Sequence, residues 1–183
     1  MWNLPNLLTL GRILLVPILV VVLLTEVDGK EFIGLGLFLL AALTDFLDGF
    51  FARRRRQITN LGKLLDPAAD KILTSAAFIS LVGLDLAPAW MVVVVVAREF
   101  AVSTLRSLAA SQNLVVAASF SGKVKTTTQI VAISLLLISG ELGRFSQLAP
   151  IALWVAVVAT IYSGVEYFVR LGRRVIVGEP GTA

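Results

Sequence analysis

Long apolar runs separated by short polar segments recur along the chain, and their length predicts helices rather than strands. The runs are Leu7–Leu24, Phe32–Ala52, Leu64–Gly83, Ala89–Leu108, a fifth that starts after Lys125 and ends near Ser139, and Leu148–Phe168. A helix rising about 1.5 Å per residue needs roughly 20 apolar residues to cross a hydrocarbon layer about 30 Å thick. The pattern therefore predicts an all-α integral membrane protein with six transmembrane helices in one domain over residues 1–183. Met1-Trp-Asn-Leu-Pro-Asn6 has neither the basic start nor the cleavage site of a signal peptide. Residues 1–6 are expected to be a short interfacial segment with Trp2 at headgroup depth, and residues 175–183 a flexible tail.

Composition agrees with this class. The chain of 183 residues is 57% hydrophobic and 15% charged, with a mean hydropathy of +0.91, beyond what a soluble domain of this size carries. No nucleic acid is expected as a partner; membrane lipids are. Loop charge sets the orientation. Arg53–Arg56, Lys63, Lys71, Lys123, Lys125, Arg170, Arg173 and Arg174 fall on one side, and Lys30 and Arg144 on the other. The positive-inside rule puts the first group and both termini in the cytoplasm, as an even number of spans requires. The charged site is therefore expected at the cytoplasmic face of a membrane. Arg12, near the start of the first run, is expected to snorkel to the interface or line a cavity.

Four of the six aspartates lie between Asp45 and Asp70. Carboxylates bordering such apolar runs are unfavourable unless a cation holds them. Asp45 and Asp48 are spaced i, i+3 and Asp66 and Asp70 i, i+4, so each pair shares a helix face. A short connector makes the two helices antiparallel neighbours on which the pairs can converge. The chain has no histidine and no cysteine. A metal site must then use oxygen ligands, which suit Mg²⁺, Mn²⁺ or Ca²⁺, and a general base must be Asp, Glu, Lys or Tyr. Gly49 and Ala52 would let a bulky ligand approach the backbone, and Gly62 would allow a close turn or contact before the second pair. Capping or pairing with Arg53–Arg56 is the structural alternative.

Asp45-x₂-Asp48-Gly49-x₂-Ala52-Arg53-x₈-Gly62-x₃-Asp66-x₃-Asp70 resembles, at every fixed position, the signature of the CDP-alcohol phosphotransferase family. The resemblance implies that Asp45, Asp48, Asp66 and Asp70 bind two divalent cations, Mg²⁺ or Mn²⁺, which hold the pyrophosphate of a CDP-linked lipid. It further implies that an alcohol attacks the lipid-side phosphorus and releases CMP, with Asp70 as the base. Arg53 is expected at the nucleotide phosphates and Gly49, Ala52 and Gly62 around the nucleotide. Asn6 and Thr9 are expected either at the cytidine diphosphate or simply as polar residues of a helix start. A homodimer is also implied.

Pro5–Arg12, Arg98–Arg106, Ser121–Gln129 and Asp66-Pro-Ala-Ala-Asp-Lys71 resemble the branch of that family that joins CDP-diacylglycerol and sn-glycerol 3-phosphate. The acceptor is a small dianion, and its site should hold fixed cations in a partly dry place. Arg98, Arg106, Lys123 and Lys125 are the candidates, with Arg170 a further one; topology signalling is the alternative reading, above all for Lys123 and Lys125. Arg98 and Glu99, adjacent on a helix, are not expected to pair directly. Arg54–Arg56 and Arg173–Arg174 read as anchors to anionic headgroups. Other readings of the chain are a related synthase using a different acceptor such as inositol phosphate, a membrane prenyltransferase, and a divalent-cation transporter.

Overall fold

Each helix buries one stripe of residues at alternating three- and four-residue spacing, which is how the chain folds into a bundle. The computed structural model describes residues 4–55, 60–112 and 119–177, with side chains described over 7–44, 68–112 and 119–171. The elements are α1 (Leu4–Leu24), α2 (Lys30–Arg55), α3 (Asn60–Gly83), α4 (Ala89–Ser111), α5 (Phe120–Leu137) and α6 (Leu148–Val177). No strand occurs among the described residues.

On α1 the buried stripe is Thr9, Arg12, Val16, Leu19 and Leu23. On α2 it runs through Gly34, Phe38 and Ala41, and Asp45 and Asp48 fall at the next two steps of that spacing. On α3 it includes Ala69, Leu73, Ala77 and Leu81. Gly34 lets α1 approach closely, because an added Cβ there would run into the Leu23 side chain. α1 packs mainly on α2 and α3, and α6 on α4 and α5, while α2 and α3 also contact α5. Leu19, Leu23, Phe38, Phe78, Val95, Ile133 and Val157 form the apolar centre where these groups meet.

The outer surface is apolar and the inside holds polar groups. Leu14, Val21, Phe32, Leu43, Val93, Phe100, Val158 and Val165 are exposed, whereas Thr9, Arg12, Thr74, Glu99, Lys125, Gln129, Thr160 and Ser163 are buried. That arrangement suits a lipid surround. Two stretches are long and apolar enough to cross a membrane among the described residues, Leu7–Leu24 and Gly143–Leu171. The α4 and α5 helices are interrupted by Arg98-Glu99, Arg106 and Ser121–Gln129, so apolarity alone does not mark them out.

Several boundaries differ from the sequence expectation. Helix α1 begins at Leu4, inside the expected lead-in, and α6 continues to Val177, through the start of the expected tail. Gly62 lies within α3, not in a turn before it. Lys123 and Lys125 lie in the opening turns of α5, where Ser119 caps the helix by accepting from the Gly122 N–H at 3.2 Å. The expected loop from Gly140 to Gln147 contains two 3₁₀ turns, Ser139–Glu141 and Gly143–Phe145, and Gly143 takes a φ of 52° there.

Candidate active site

Helices α4, α5 and α6 place polar residues on their buried stripes at one end of the bundle. Glu99 occupies the stripe position between Val95 and Val102, Lys125 and Gln129 precede Ala132, and Thr160 and Ser163 precede Tyr167. These groups meet at the Glu99 carboxylate. Its Oε1 accepts from Lys125 Nζ at 2.6 Å, Arg98 Nη1 at 3.3 Å and Gln129 Nε2 at 3.4 Å. Gln129 Nε2 also donates to Thr160 Oγ1 at 3.0 Å, and Arg98 Nη2 donates to Ser163 Oγ at 2.6 Å. Buried charges are tolerated only when paired and hydrogen-bonded in this manner.

The direct Arg98–Glu99 contact corrects the expectation that adjacent helix residues would not pair. Their Cβ atoms do diverge, but the guanidinium lies at the end of a long flexible stem and folds back to the carboxylate. Arg98 is also fitted against α6. A Cβ at Gly164 would lie 3.0 Å from Arg98 Cγ and 3.6 Å from its Nε, so the missing side chain makes room for the stem. Gly164→Ala is expected to shift Arg98 and to raise several-fold the KM for the anionic acceptor that the resemblance implies, with little change in the melting temperature. An unchanged KM would show that the stem relaxes without moving its guanidinium.

Tyr167 extends the cluster. The Arg98 and Arg106 guanidinium carbons stand 5.9 and 6.0 Å from its ring centroid, within cation–π range. The phenol oxygen accepts from the Ser119 N–H at 3.3 Å, tying the ring to the start of α5. Ser121 donates to Glu166, which also pairs with Arg170 at 3.3 Å. The expected cations thus fall into two layers. Arg98 and Lys125 are held inside by Glu99, whereas Arg106, Lys123 and Arg170 are exposed.

Lys71 links this cluster to the aspartates. It lies within electrostatic reach of Asp70, Glu99, Arg106 and Lys125, so the half-buried Asp70 and the cations share one end of the bundle. Thr74 Oγ1 donates to the Asp70 carbonyl at 2.9 Å. By backbone, Asp45, Asp48, Gly49, Ala52 and Arg53 lie on α2, and Gly62 and Asp66 on α3. Their side chains, and that of Asn6 on α1, lie outside the described residues. Thr9 is fully buried on α1. The donor set fits hard divalent cations: four carboxylates on two packed helices, in a chain without histidine or cysteine.

Arg12 is 1% exposed on the buried stripe of α1, so it lines the interior and does not snorkel. Glu99, Gln129, Ser163 and Tyr167 were not among the residues expected from sequence. Their signal was present, since each continues the three-and-four spacing of its helix's apolar stripe. A polar residue on such a stripe faces inward and must find a partner there.

The family model for CDP-alcohol phosphatidyltransferase matches residues 2–162. The chain is 50% identical over 183 residues to the CDP-diacylglycerol–glycerol-3-phosphate 3-phosphatidyltransferase of Bacillus subtilis (strain 168), covering 92% of this chain and 94% of that one. The proteins of the same name from Escherichia coli (strain K12) and Rickettsia felis are 39% and 37% identical, each over 91% of this chain and 93% of their own.

Proposed function

We propose that the chain, which belongs to the CDP-alcohol phosphatidyltransferase family, transfers the phosphatidyl group of CDP-diacylglycerol to sn-glycerol 3-phosphate. The products are phosphatidylglycerophosphate and CMP, a step toward phosphatidylglycerol and cardiolipin. The observation that carries this reading is the cluster of Arg98, Arg106 and Lys125 around Glu99 and Tyr167, with Lys71, the chain neighbour of Asp70, within electrostatic reach of Glu99, Arg106 and Lys125. A phosphorylated alcohol needs fixed cations beside the base that activates its hydroxyl, and a neutral alcohol does not.

Asp45, Asp48, Asp66 and Asp70 would hold two Mg²⁺ or Mn²⁺ ions. When bound, such ions neutralise pyrophosphate charge and stabilise the charge developing on the departing CMP. Asp70 also takes the proton of the acceptor hydroxyl as its oxygen attacks the lipid-side phosphorus. The bond from that phosphorus to CMP breaks as the new ester forms. Arg53 binds the nucleotide phosphates, and Asn6, Thr9, Gly49, Ala52 and Gly62 shape the cytidine diphosphate pocket. Arg98, Arg106, Lys123 and Lys125 hold the acceptor phosphate. Six helices cross the cytoplasmic membrane with both termini and the site on the cytoplasmic side, where the soluble acceptor is available, and the protein works as a homodimer.

The test is an assay of the purified chain in vesicles or micelles containing CDP-diacylglycerol, offered labelled glycerol 3-phosphate or labelled inositol phosphate. Label is expected in lipid with glycerol 3-phosphate; incorporation of only the inositol compound would reject the acceptor assignment. Turnover is expected to vanish with a chelator and to return with Mg²⁺ or Mn²⁺. Cation flux through vesicles without any CMP release would favour the transporter reading.

A further inference from the structure

We infer that Glu99 is a positioning residue that sets the spacing and orientation of the cations receiving the acceptor's phosphate; this rests on the acceptor reading above. One carboxylate oxygen accepts from Arg98 of its own helix and from Lys125 and Gln129 of α5. Glu99 and Lys125 are 6% and 5% exposed, so the pair is dry and held in one geometry. The far end of the Arg98 guanidinium is fixed by Ser163, its stem by the bare backbone of Gly164, and its face by Tyr167. Arg106 stands over the same ring. The distance between the inner and outer cations is therefore set by the hub at Glu99 and by the ring of Tyr167.

Charge balance explains why the hub is a single carboxylate. One negative charge against Arg98 and Lys125 leaves a net positive charge for an incoming anion. Without Glu99 the two cations would repel each other, and neither would keep its place between the helices. With a second carboxylate the charges of Arg98 and Lys125 would be cancelled, leaving only the outer cations to attract the acceptor dianion. Glu99 need not touch the substrate.

The experiment compares Glu99→Gln, Glu99→Asp, Arg106→Ala and the double variant Glu99→Gln/Lys125→Met in the full-length enzyme. KM for glycerol 3-phosphate and for CDP-diacylglycerol are measured separately, together with melting temperature. Losing charge-assisted hydrogen bonds at the hub is expected to raise the acceptor KM about tenfold in Glu99→Gln, with the lipid KM within about twofold of the parent. Glu99→Asp is expected to recover part of the acceptor KM. Glu99→Gln leaves Lys125 buried without its carboxylate and is expected to melt early. The double variant removes both charges and is expected to regain the melting temperature, which assigns the early melting to the uncompensated Lys125; its acceptor KM is expected to stay raised because Lys125 itself receives the phosphate. A merely structural role would leave the acceptor KM of folded Glu99→Gln normal while Arg106→Ala raises it, and that result would overturn the inference. A normal acceptor KM in Arg106→Ala would overturn the acceptor reading itself, and the role of Glu99 with it.

Discussion

Replacing Asp70 with Asn is expected to lower kcat by roughly 10²–10⁴-fold, the range over which a positioned general base acts. The amide keeps the size of the carboxylate and an oxygen that can still face a cation, but it cannot take the proton of the attacking hydroxyl. The site offers no ready substitute. The chain has no histidine, Tyr167 is occupied by two guanidiniums and the Ser119 N–H, and Glu99 is tied to Lys125 and Arg98. CDP-diacylglycerol binding, followed by retention of labelled lipid on the purified variant, is expected to remain within a few-fold of the parent. Loss of binding in parallel with turnover would make Asp70 chiefly a metal ligand, and turnover near the parental rate would remove it from the mechanism.

Arg98→Ala has the second largest expected effect. The substitution removes a guanidinium that joins Glu99, Ser163 and the Tyr167 ring in one arrangement. Hydrogen bonds to charged groups contribute about 1.5–3 kcal/mol each, so losing one such contact with the acceptor phosphate should raise its KM about 10- to 100-fold. The fold should survive, because Lys125 remains 2.6 Å from Glu99 and keeps that carboxylate compensated. The KM for CDP-diacylglycerol should change little. Initial rates with each substrate varied in turn would decide, and equal rises in both constants would remove Arg98 from the acceptor site.

The fold was readable to the level of its helices because apolar stripes at helical spacing are a local property. Thr9-Arg12-Val16-Leu19-Leu23 on α1 and Ala149-Leu153-Thr160-Ser163-Tyr167 on α6 are both visible in the chain. Helix ends were less readable. α6 passes Arg170 and runs on to Val177, because a change from apolar to charged residues marks a change of solvent and leaves the hydrogen-bonded backbone free to continue. The same reasoning explains α5, whose first turns carry Ser121–Lys125 where a loop was expected.

Spacing suggested the two aspartate pairs, the missing histidine and cysteine the oxygen-only character of any metal site, and loop charge the end of the bundle that carries the charge. Those properties depend on residues close in sequence or on residue types that are missing altogether. The arrangement of the cations depended on packing between distant segments. Arg98 meets Ser163 and Gly164 because α4 packs on α6, and Lys125 reaches Glu99 because α4 and α5 both pack on α6. In the chain, Arg98 stands apart by lying inside an apolar run, while Lys123 and Lys125 read equally well as topology signals. Helix packing buries Lys125 and partly buries Arg98 against a shared carboxylate and leaves Arg106 and Lys123 exposed, because burial and partner choice are set by neighbours up to 65 residues away.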